Sequence, residues 1–444
     1  SWLRHETPPP RRPRPRRRRP SAAWPSLPAR PTAGASQPDV AGGRRAGIKA
    51  YERRRAEIPP EHMQAAQIKY IGVNDKNIDL FEGQYPVPNG VSYNSYLILD
   101  EKTAVMDTAD VRTADQWLQN LELALAGKEP DYLIISHMEP DHAGSLELAA
   151  KKYPQMKLVG NAKTFNMVSQ FFDIDLSDRT VTVQEGDQIK LGSRTLRFYM
   201  APMVHWPEVM VAYEETEGIL FSADAFGKFG ALDITEEWTD EARRYYYNIV
   251  GKYGLQAQAL LKKAAGLNIT AIYPLHGPVL KNNLNCYIEK YKLWSSYTPE
   301  EKGVFIAYAS IYGHTARAAS ALSDMLTRRG IKSTLMDLAR TDVSYCVAQA
   351  FKYDKMVLAS ASYDGGIFPP MEEFLHHLKA KTYRSRRVGI IENGTWAPSA
   401  AKGIKELLGQ MKDVSIYEPV ITIKSAADTK VFDQLEQLAD SLKE

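Results

Sequence analysis

Four side chains that can bind a metal ion occur within six residues, directly after an apolar run. They are His137, Glu139, Asp141 and His142, and the strand-like run 132–135 precedes them. A loop at the end of a buried strand can direct imidazoles and carboxylates toward one point. Two imidazoles with two carboxylates are more ligands than one ion usually takes from so short a run. The spacing therefore favours a site for two metal ions. The alternative is a charged, solvated loop that caps a helix.

Three later residues stand in loops of the same form. His205, Asp224 and His276 each follow a strand-like run and lie close to a Gly or Pro turn. Taken singly, each would be better explained as a structural residue. Strands of one sandwich deliver their ends to one rim, so together the residues can converge on a single site. Hard carboxylate oxygens beside imidazoles, with no thiolate nearby, favour iron or manganese.

A second kind of site is indicated near residue 310. Ser310, Gly313 and Thr315 lie where a strand-like run ends and a helical pattern begins. Hydroxyls and backbone N–H groups at a helix N-terminus can bind a phosphate. The loop lacks a Walker lysine and the dinucleotide glycine spacing, so a mononucleotide fits better. A simple Ser/Thr helix cap is the alternative, but the loops 360–368 and 392–397 follow further strand-like runs and favour the ligand site.

Two patterns of secondary structure position these residues. Up to about residue 295, short strands come first and then alternate with helices, which indicates two sheets flanked by helices. Later strands of this part are predicted at 181–184, 195–200, 209–213, 219–222 and 271–273, with one long helix at 240–265. Beyond residue 303, strands at 304–309, 356–360, 387–391 and 415–421 alternate with helices at 315–329, 371–379, 400–411 and 429–442. Regular alternation of this kind predicts an open parallel sheet with ligands at the carboxyl ends of its strands.

The domain organisation follows from these patterns. We expect a basic, disordered extension at 1–62, a metal-binding domain at 63–295, a polar linker at 296–303 and a nucleotide-binding domain at 304–444. The extension holds 12 of the 26 prolines, with 14 arginines and one lysine against five acids. It fits an organelle transit peptide, a basic tail that touches polyanions, or sequence upstream of the true start. Met63 stands just before the first strand-like run and is the expected start.

Composition excludes several classes of protein. The remainder, 63–444, carries 41 basic and 48 acidic residues, so it is mildly acidic and nothing in it indicates nucleic-acid binding. Two cysteines, Cys286 and Cys346, argue against a disulfide framework and fit a reducing, cytoplasmic location. No apolar run approaches the length of a membrane span, so no membrane association is expected.

The metal motif departs from that of the metallo-β-lactamase hydrolases, which it resembles. Those enzymes carry His-x-His-x-Asp-His at this place and bind zinc, whereas Glu139 replaces the second histidine here. Together with the C-terminal pattern, the series resembles the flavodiiron proteins from about Met63 to the end. The resemblance implies an αββα metallo-β-lactamase-like sandwich followed by an α/β flavodoxin-like, doubly wound parallel sheet.

The resemblance also implies the ligands of each cofactor. One iron would be held by His137, Glu139 and His205, the other by Asp141, His276 and, in some members, His142, with Asp224 bridging the two. The C-terminal loops resemble the FMN loops of flavodoxin, with Tyr363 and Trp396 available to flank the ring. The expected FMN-binding residues are Ser310, Tyr312, Gly313, His314, Thr315, Ser362, Tyr363, Asp364, Gly365, Asn393, Gly394, Thr395 and Trp396.

Three functions compete at this point. The first is an oxidoreductase in which FMN passes electrons to a non-haem diiron site that reduces O₂ to water, NO to N₂O, or both; O₂ is favoured by the resemblance. The second is a zinc hydrolase with an appended flavodoxin domain. The third is a pure electron carrier whose N-terminal domain only mediates binding. Glu139 and the fused redox module argue against the second, and seven convergent ligands argue against the third.

Electron supply and assembly follow from the first function. No Cys-x-x-Cys pair occurs, so a fused rubredoxin is not expected and the donor would be a separate rubredoxin or a reduced cofactor. The flavin and the metals lie in different domains and are expected to be far apart within one chain. The family solves this with a head-to-tail homodimer, so we expect a dimer or a tetramer.

Overall fold

The computed structural model describes residues 67–443. The predicted extension at 1–62 and the expected start at Met63 lie outside these residues. The structure contains two mixed sheets followed by a larger, mainly parallel sheet. The predicted fold class is confirmed. The domain boundaries stay a prediction, although the strand that opens the third sheet begins at Glu301.

The first sheet has six strands in the order β1-β6-β7-β8-β9-β10. Two short antiparallel pairs, β2 with β5 and β3 with β4, accompany it. The strands of this part are β1 Gln67–Tyr70, β2 Val73–Asp75, β3 Leu80–Phe81, β4 Tyr85–Pro86, β5 Val91–Tyr93, β6 Tyr96–Leu99, β7 Ala104–Met106, β8 Tyr132–Ile134, β9 Lys157–Gly160 and β10 Thr180–Thr182.

The second sheet packs against the first. Its strands are β11 Gln188–Lys190, β12 Thr195–Met200, β13 Met210–Glu214, β14 Ile219–Phe221 and β15 Ala271–Tyr273, in chain order. Because successive strand residues point to opposite faces, alternate residues such as Ile98 and Phe198 fill the space between the sheets. Their neighbours, such as Leu97 and Leu133, pack outward with the helices. The result is an αββα sandwich.

The third sheet has the strand order β17-β16-β18-β20-β21, with β19 on β18 and β22 on β20. All its main pairings are parallel. This is the 2-1-3-4-5 order of flavodoxin-like sheets, in which ligands bind at the carboxyl edge. The strands are β16 Glu301–Ala309, β17 Ser333–Asp337, β18 Tyr353–Tyr363, β19 Gly366–Ile367, β20 Arg386–Asn393, β21 Val414–Ile416 and β22 Ile421–Ile423.

Helices cover the outer faces of the sandwich and both faces of the third sheet. In chain order they are α1 Ala114–Leu125, α2 Pro140–Ala143, α3 Leu146–Lys152, α4 Ala162–Phe171, α5 Trp238–Tyr245, α6 Gly254–Ala264, α7 Leu284–Ser295, α8 His314–Arg328, α9 Val343–Lys352, α10 Pro369–Ala380, α11 Ala400–Leu408 and α12 Thr429–Ser441. Among residues 67–443, no helix is both long enough and apolar enough to cross a membrane.

Two predicted elements are wrong in detail. The helix predicted at 240–265 is interrupted by a π-helical segment, Tyr246–Val250, and a 3₁₀ turn. After the interruption, Gly254 packs closely against the end of α7, where a Cβ would lie 2.4 Å from the Ser295 carbonyl oxygen. The strand predicted at 415–421 is two short strands, β21 and β22, separated by residues 417–420.

Strand β17 and helix α9 have no counterpart among the predicted elements. Strand β17 is half-buried along its whole length and mixes polar with apolar residues, so it lacks the apolar run of its neighbours. Helix α9 begins at the cap residue Asp342, whose side chain accepts a hydrogen bond from the Ser344 backbone N–H. Both signals are short, and the pattern alone does not distinguish them from a loop.

Candidate metal centre and flavin site

The structure brings all seven predicted metal ligands to one rim of the sandwich. They form two groups of side chains whose ligand atoms lie within 4.8 Å of one another. The four loops that carry them follow β8, β12, β14 and β15. The first group is His137, Glu139, His205 and Asp224; the second is Asp141, His142 and His276.

Asp224 faces both groups. Its Oδ2 lies 3.3 Å from His137 Nε2 and 3.2 Å from His205 Nε2. Its Oδ1 lies 3.3 Å from His142 Nε2 and 3.7 Å from His276 Nε2. Asp224 is completely buried, and the structure gives neither oxygen a hydrogen-bond partner. A carboxylate in this position can bridge two cations and offset their repulsion.

The remaining predicted ligands complete each group at similar distances. Glu139 Oε2 lies 3.3 Å from His137 Nε2 and 3.0 Å from His205 Nε2. Asp141 Oδ2 lies 3.2 Å from His142 Nε2 and 3.1 Å from His276 Nε2. Both oxygens of Asp141 are buried without a hydrogen-bond partner. Buried polar atoms of this kind are costly unless an ion or water satisfies them, so the residues fit a pair of cations.

The electrostatics of the first group also favour cations. Burial alone would lower the pKa of His205, but Asp224 and Glu139 outweigh burial and raise it to about 9. The same balance raises the pKa of His137, mainly through Asp224. The carboxylates thus create a negative field that attracts protons or, in their place, metal ions.

A shell of buried groups orients the ligands. His137 Nδ1 lies 2.7 Å from Glu208 Oε1, which also accepts the Met138 N–H at 2.8 Å. His276 Nδ1 lies 2.7 Å from the carbonyl oxygen of Ser92. Asp107 accepts the Ser136 backbone N–H at 2.7 Å and holds the start of the metal loop. Metal-bound histidines usually have such partners on the second ring nitrogen.

His142 differs from these histidines. Its Nδ1 is buried and has no hydrogen-bond partner among the described residues, although its Nε2 lies 3.0 Å from His276 Nε2. Without an acceptor, its ring orientation and tautomer are less firmly fixed than those of His137 and His276.

Replacing Glu208 with Gln is expected to weaken metal binding about 10- to 100-fold, because the amide is a poorer acceptor for the His137 N–H. The measurement is competitive titration of the metal with a chelator. Glu122→Gln is the control, since that side chain is 64% exposed and pairs only with Lys152. Equal metal affinity in the two variants would contradict this role of Glu208.

A cavity of about 410 Å³ leads from the surface to Glu139 and Asp141. Phe81, Glu82 and Arg112 help to line it. Desolvation by the surrounding protein atoms and the negative charge of Glu139 raise the pKa of Glu82 to about 7. Part of the Glu82 side chain is still exposed to solvent. No local sequence pattern marks Glu82, because the residue that it faces, Glu139, lies 57 positions further along the chain.

The second site lies at the carboxyl edge of the third sheet. A cavity of about 740 Å³ is lined by twelve of the thirteen predicted FMN residues, the exception being Gly313. Gly313 instead shapes the loop: its φ is 89° and its N–H donates to Ser310 Oγ at 3.1 Å. The residues missed by the sequence analysis are Ile311, Ala361, Ala397, Ser399 and Ser425.

Ser425 comes from a fourth loop, after β22. Its backbone N–H donates to Asn393 Oδ1 at 3.2 Å, and Asn393 Nδ2 donates to the Ser425 carbonyl at 3.0 Å. Ser362 Oγ accepts the backbone N–H groups of Ser399 and Ala400. The loops are therefore tied to one another and form a preorganised cavity. The sequence pattern predicts one strand at 415–421 instead of β21 and β22, so it does not place Ser425 at the end of a strand.

No lysine or arginine is among the described residues that line this cavity. A bound phosphate would therefore be held by hydroxyls, backbone N–H groups and the N-terminus of α8, as the loop pattern predicts. Exposed aromatic side chains surround the opening: Tyr312 and Trp396 are each 91% exposed and Tyr363 is 47% exposed. Such rings can stack on a flat heterocycle.

Comparison with known proteins agrees with this architecture. Residues 91–277 match the family model described as the ODP family beta lactamase. The chain is 27% identical over 398 residues to the rubredoxin-oxygen oxidoreductase of Megalodesulfovibrio gigas, which covers 86% of this chain and 98% of that protein. It is 28% identical over 368 residues to the nitric oxide reductase of Moorella thermoacetica, with 80% and 92% covered. The crystal structure of the flavodiiron protein from Giardia intestinalis matches with a TM-score of 0.80 at 25% identity, covering 86% of this chain and 97% of that one.

Fold and site define a protein with a metallo-β-lactamase-like domain that holds two adjoining groups of side chains able to bind metal, fused to a flavodoxin-like domain. This combination of domains is that of the flavodiiron proteins, to which the chain is similar in sequence and in fold. The named relatives are oxidoreductases, and they give the zinc hydrolase alternative no support.

Proposed function

We propose that this chain is an FMN-dependent diiron oxidoreductase that reduces O₂ to water, NO to N₂O, or both. The observation that carries the proposal is the presence, in one chain, of two adjoining groups of buried ligand atoms and a cavity that fits a flavin. Relatives named as an oxygen oxidoreductase and a nitric oxide reductase support it. Electrons come from a separate donor, with rubredoxin the class that the name of one relative suggests. We place the protein in a reducing, cytoplasmic environment.

We assign His137, Glu139 and His205 to one iron, and Asp141 and His276 to the other. Asp224 would hold both, since each of its oxygens faces one group. His142 is the least securely oriented ligand of the second iron, because its Nδ1 lacks an acceptor.

When bound, a diiron centre at these residues would supply a site for a diatomic molecule, or for two copies of one, and FMN would supply electrons. The chain contributes a hydroxyl proton close by. Tyr245 is buried, and its ring centroid lies 5.4 Å from that of His276. Burial and the charges of Asp224, Asp141 and Glu139 raise its pKa, so its Oη stays protonated and can donate a hydrogen bond into the site. Glu82, with its raised pKa, can hold a proton where the cavity opens.

We assign FMN to the cavity of the third sheet, with its phosphate at Ser310 and Thr315 and its ring between the aromatic side chains at the opening. Thr315 is buried in the first turn of α8. The hydroxyl of a side chain so placed can donate to a phosphate oxygen without a large loss of entropy on binding.

Replacing Thr315 with Val is expected to weaken FMN binding about 10- to 100-fold, since a hydrogen bond to a charged group contributes about 1.5–3 kcal/mol. Isothermal titration of the apoprotein with FMN gives the affinity. Thr327→Val in the same helix is the matched control, because its Oγ1 bonds only to the Ser323 carbonyl on the surface. An unchanged affinity in Thr315→Val would place the phosphate elsewhere.

We further propose a head-to-tail homodimer, alone or paired into a tetramer, as the active unit. Within one chain, no described residue lines both cavities. The exposure of Tyr312 and Trp396 in the single chain also supports a partner surface over the flavin.

Mixed dimers test this assembly. One subunit carries Asp224→Asn and keeps FMN; the other carries Ser310→Ala with Thr315→Val and keeps its metals. If electrons pass between subunits, the mixture regains activity that neither variant has alone. If electrons pass within a chain, the mixture stays inactive, because no chain holds both cofactors.

The experiment that tests the function is gas consumption by the iron- and FMN-loaded protein with reduced rubredoxin as donor. Uptake of O₂ or NO that requires both cofactors is expected, with little release of hydrogen peroxide. A fully loaded protein that consumes neither gas would overturn the proposal.

A further inference from the structure

A series of aromatic side chains connects the metal site with the protein surface. Tyr287, Tyr291 and Trp294 are spaced i, i+4 and i+7 along α7, which places them on one face of that helix. Trp238, at the start of α5, packs against this face. Aromatic core packing alone would explain any one of these residues, but not an unbroken series that ends at solvent.

The inner end of the series touches the loop of the bridging carboxylate. Phe226 lies two residues after Asp224, and its backbone N–H donates to Tyr291 Oη at 2.5 Å. The rings of Phe226 and Tyr291 stack with centroids 4.1 Å apart at an angle of 29°. Tyr291 is 1% exposed. This stacked pair is the contact between the metal site and the rest of the series.

Each further step is short. The Tyr291 and Trp294 centroids are 5.4 Å apart, and Trp294 stacks on Trp238 at 5.6 Å with an angle of 15°. Trp238 meets Tyr287 edge-on at 4.8 Å. Tyr287 is half-buried and reaches solvent, next to the exposed Cys286.

The surroundings of Trp294 favour the loss of an electron from its ring. Its Nε1 donates to Glu300 Oε1 at 2.7 Å, and both residues are buried. Burial opposes ionisation of Glu300, but hydrogen bonds from Arg243 and Lys290 outweigh it and lower its pKa. The carboxylate is therefore charged, and a negative charge beside the indole stabilises a positive charge on the ring.

We propose that Trp294, Trp238 and Tyr287 form an electron-transfer path that delivers single electrons from the surface to the metal site. The path acts when the FMN has no electrons left to deliver and partly reduced oxygen therefore persists at the metal site. The proposal thus rests on the proposed function. It protects the buried ligands from oxidation.

The electron balance is as follows. One electron passes from Trp294, across the Tyr291–Phe226 contact, to the oxygen species, which is reduced by one electron. Trp294 keeps its N–H proton in the hydrogen bond to Glu300 and is reduced again by one electron from Trp238. Tyr287 then reduces Trp238 by one electron and releases its own phenolic proton to water. A thiol in solution reduces Tyr287 and is itself oxidised by one electron.

The path can be tested without turnover. A ruthenium polypyridyl photo-oxidant is attached to Cys286 of the full-length protein with its metals and FMN; the other cysteine, Cys346, is buried. After a flash and quench, the oxidised label removes one electron from Tyr287. Transient absorption and electron paramagnetic resonance then show which residues become radicals.

We expect a tryptophan radical in the wild type and loss of that radical in Trp238→Phe, which leaves only the tyrosyl signal. Trp238→Tyr should restore oxidation of Trp294, because tyrosine is redox-active and phenylalanine is not. Trp117→Phe is the control, since Trp117 is also buried but lies in α1, outside the series. Thermal unfolding of each variant checks that the fold is intact. A tryptophan radical of wild-type yield in Trp238→Phe would overturn the proposal, as would its absence from the wild type.

A second measurement examines protection during turnover. With O₂ in excess and electrons limiting, Trp238→Phe and Trp294→Phe should accumulate oxidised ligand residues, seen by peptide mass spectrometry, earlier than Trp117→Phe. Equal oxidation in all three would contradict the protective role. If the loaded protein consumes no O₂ at all, the proposed function fails, whereas the photochemical result still decides whether the path exists.

Discussion

Replacing Asp224 with Asn is expected to abolish reduction of O₂ and NO and to leave at most about one metal ion per chain. The amide keeps one oxygen for one metal group but presents an NH₂ to the other, which cannot serve as a ligand. It also removes the negative charge that offsets the repulsion of two cations. Metal analysis of the purified variant, normalised to chain and to FMN, is the measurement.

A surface substitution of the same type separates this effect from general damage. Asp178 is exposed, so Asp178→Asn should keep the wild-type metal content and activity. FMN should stay bound to both variants, because Asp224 does not line the flavin cavity. A wild-type metal content in Asp224→Asn would contradict the bridging role.

Replacing Glu300 with Ala is expected to destabilise the protein by about 3–5 kcal/mol, the usual consequence of leaving a buried charge without its partner. Glu300 Oε2 lies 3.0 Å from Arg243 Nη2 and 2.6 Å from Lys290 Nζ, and Glu300 and Arg243 are almost fully buried. Its backbone N–H donates to the Lys352 carbonyl, directly before β16 begins. Because domains are stable by only about 5–15 kcal/mol, the loss should be large in urea unfolding.

Glu289→Ala is the matched control in the same region. Glu289 pairs with Lys292, and both side chains are more than half exposed, so its loss should cost less than about 1 kcal/mol. The lowered pKa of Glu300 also predicts a pH dependence. The stabilisation is fully present above the ordinary carboxyl pKa of 4.5 and disappears as the pH falls through the lowered value. Equal stability losses in the two variants would contradict the account of this ion pair.

The sequence predicts that these side chains lie together because each follows an apolar strand, and strand ends of one sandwich converge. For the same reason, three of the four FMN loops could be placed, since parallel strands deliver their ends to one edge. The assignment of the seven residues as metal ligands, His142 included, stays a prediction.

The supporting residues could not be predicted in this way. Glu208 reaches His137 across 71 residues, and Ser92 reaches His276 across 184. Such contacts depend on how the two sheets pack, and no local pattern records them. The π-helical interruption at 246–250 has the same origin, because it follows from the packing of α5 and α6 against α7 rather than from local propensity.

The most direct test of the account is the metal and FMN content of protein purified anaerobically after expression with iron available. We expect about two irons and one FMN per chain, with no zinc, since two adjoining groups of nitrogen and carboxylate ligands favour a diiron pair. Zinc in place of iron in protein produced under these conditions would contradict the central claim.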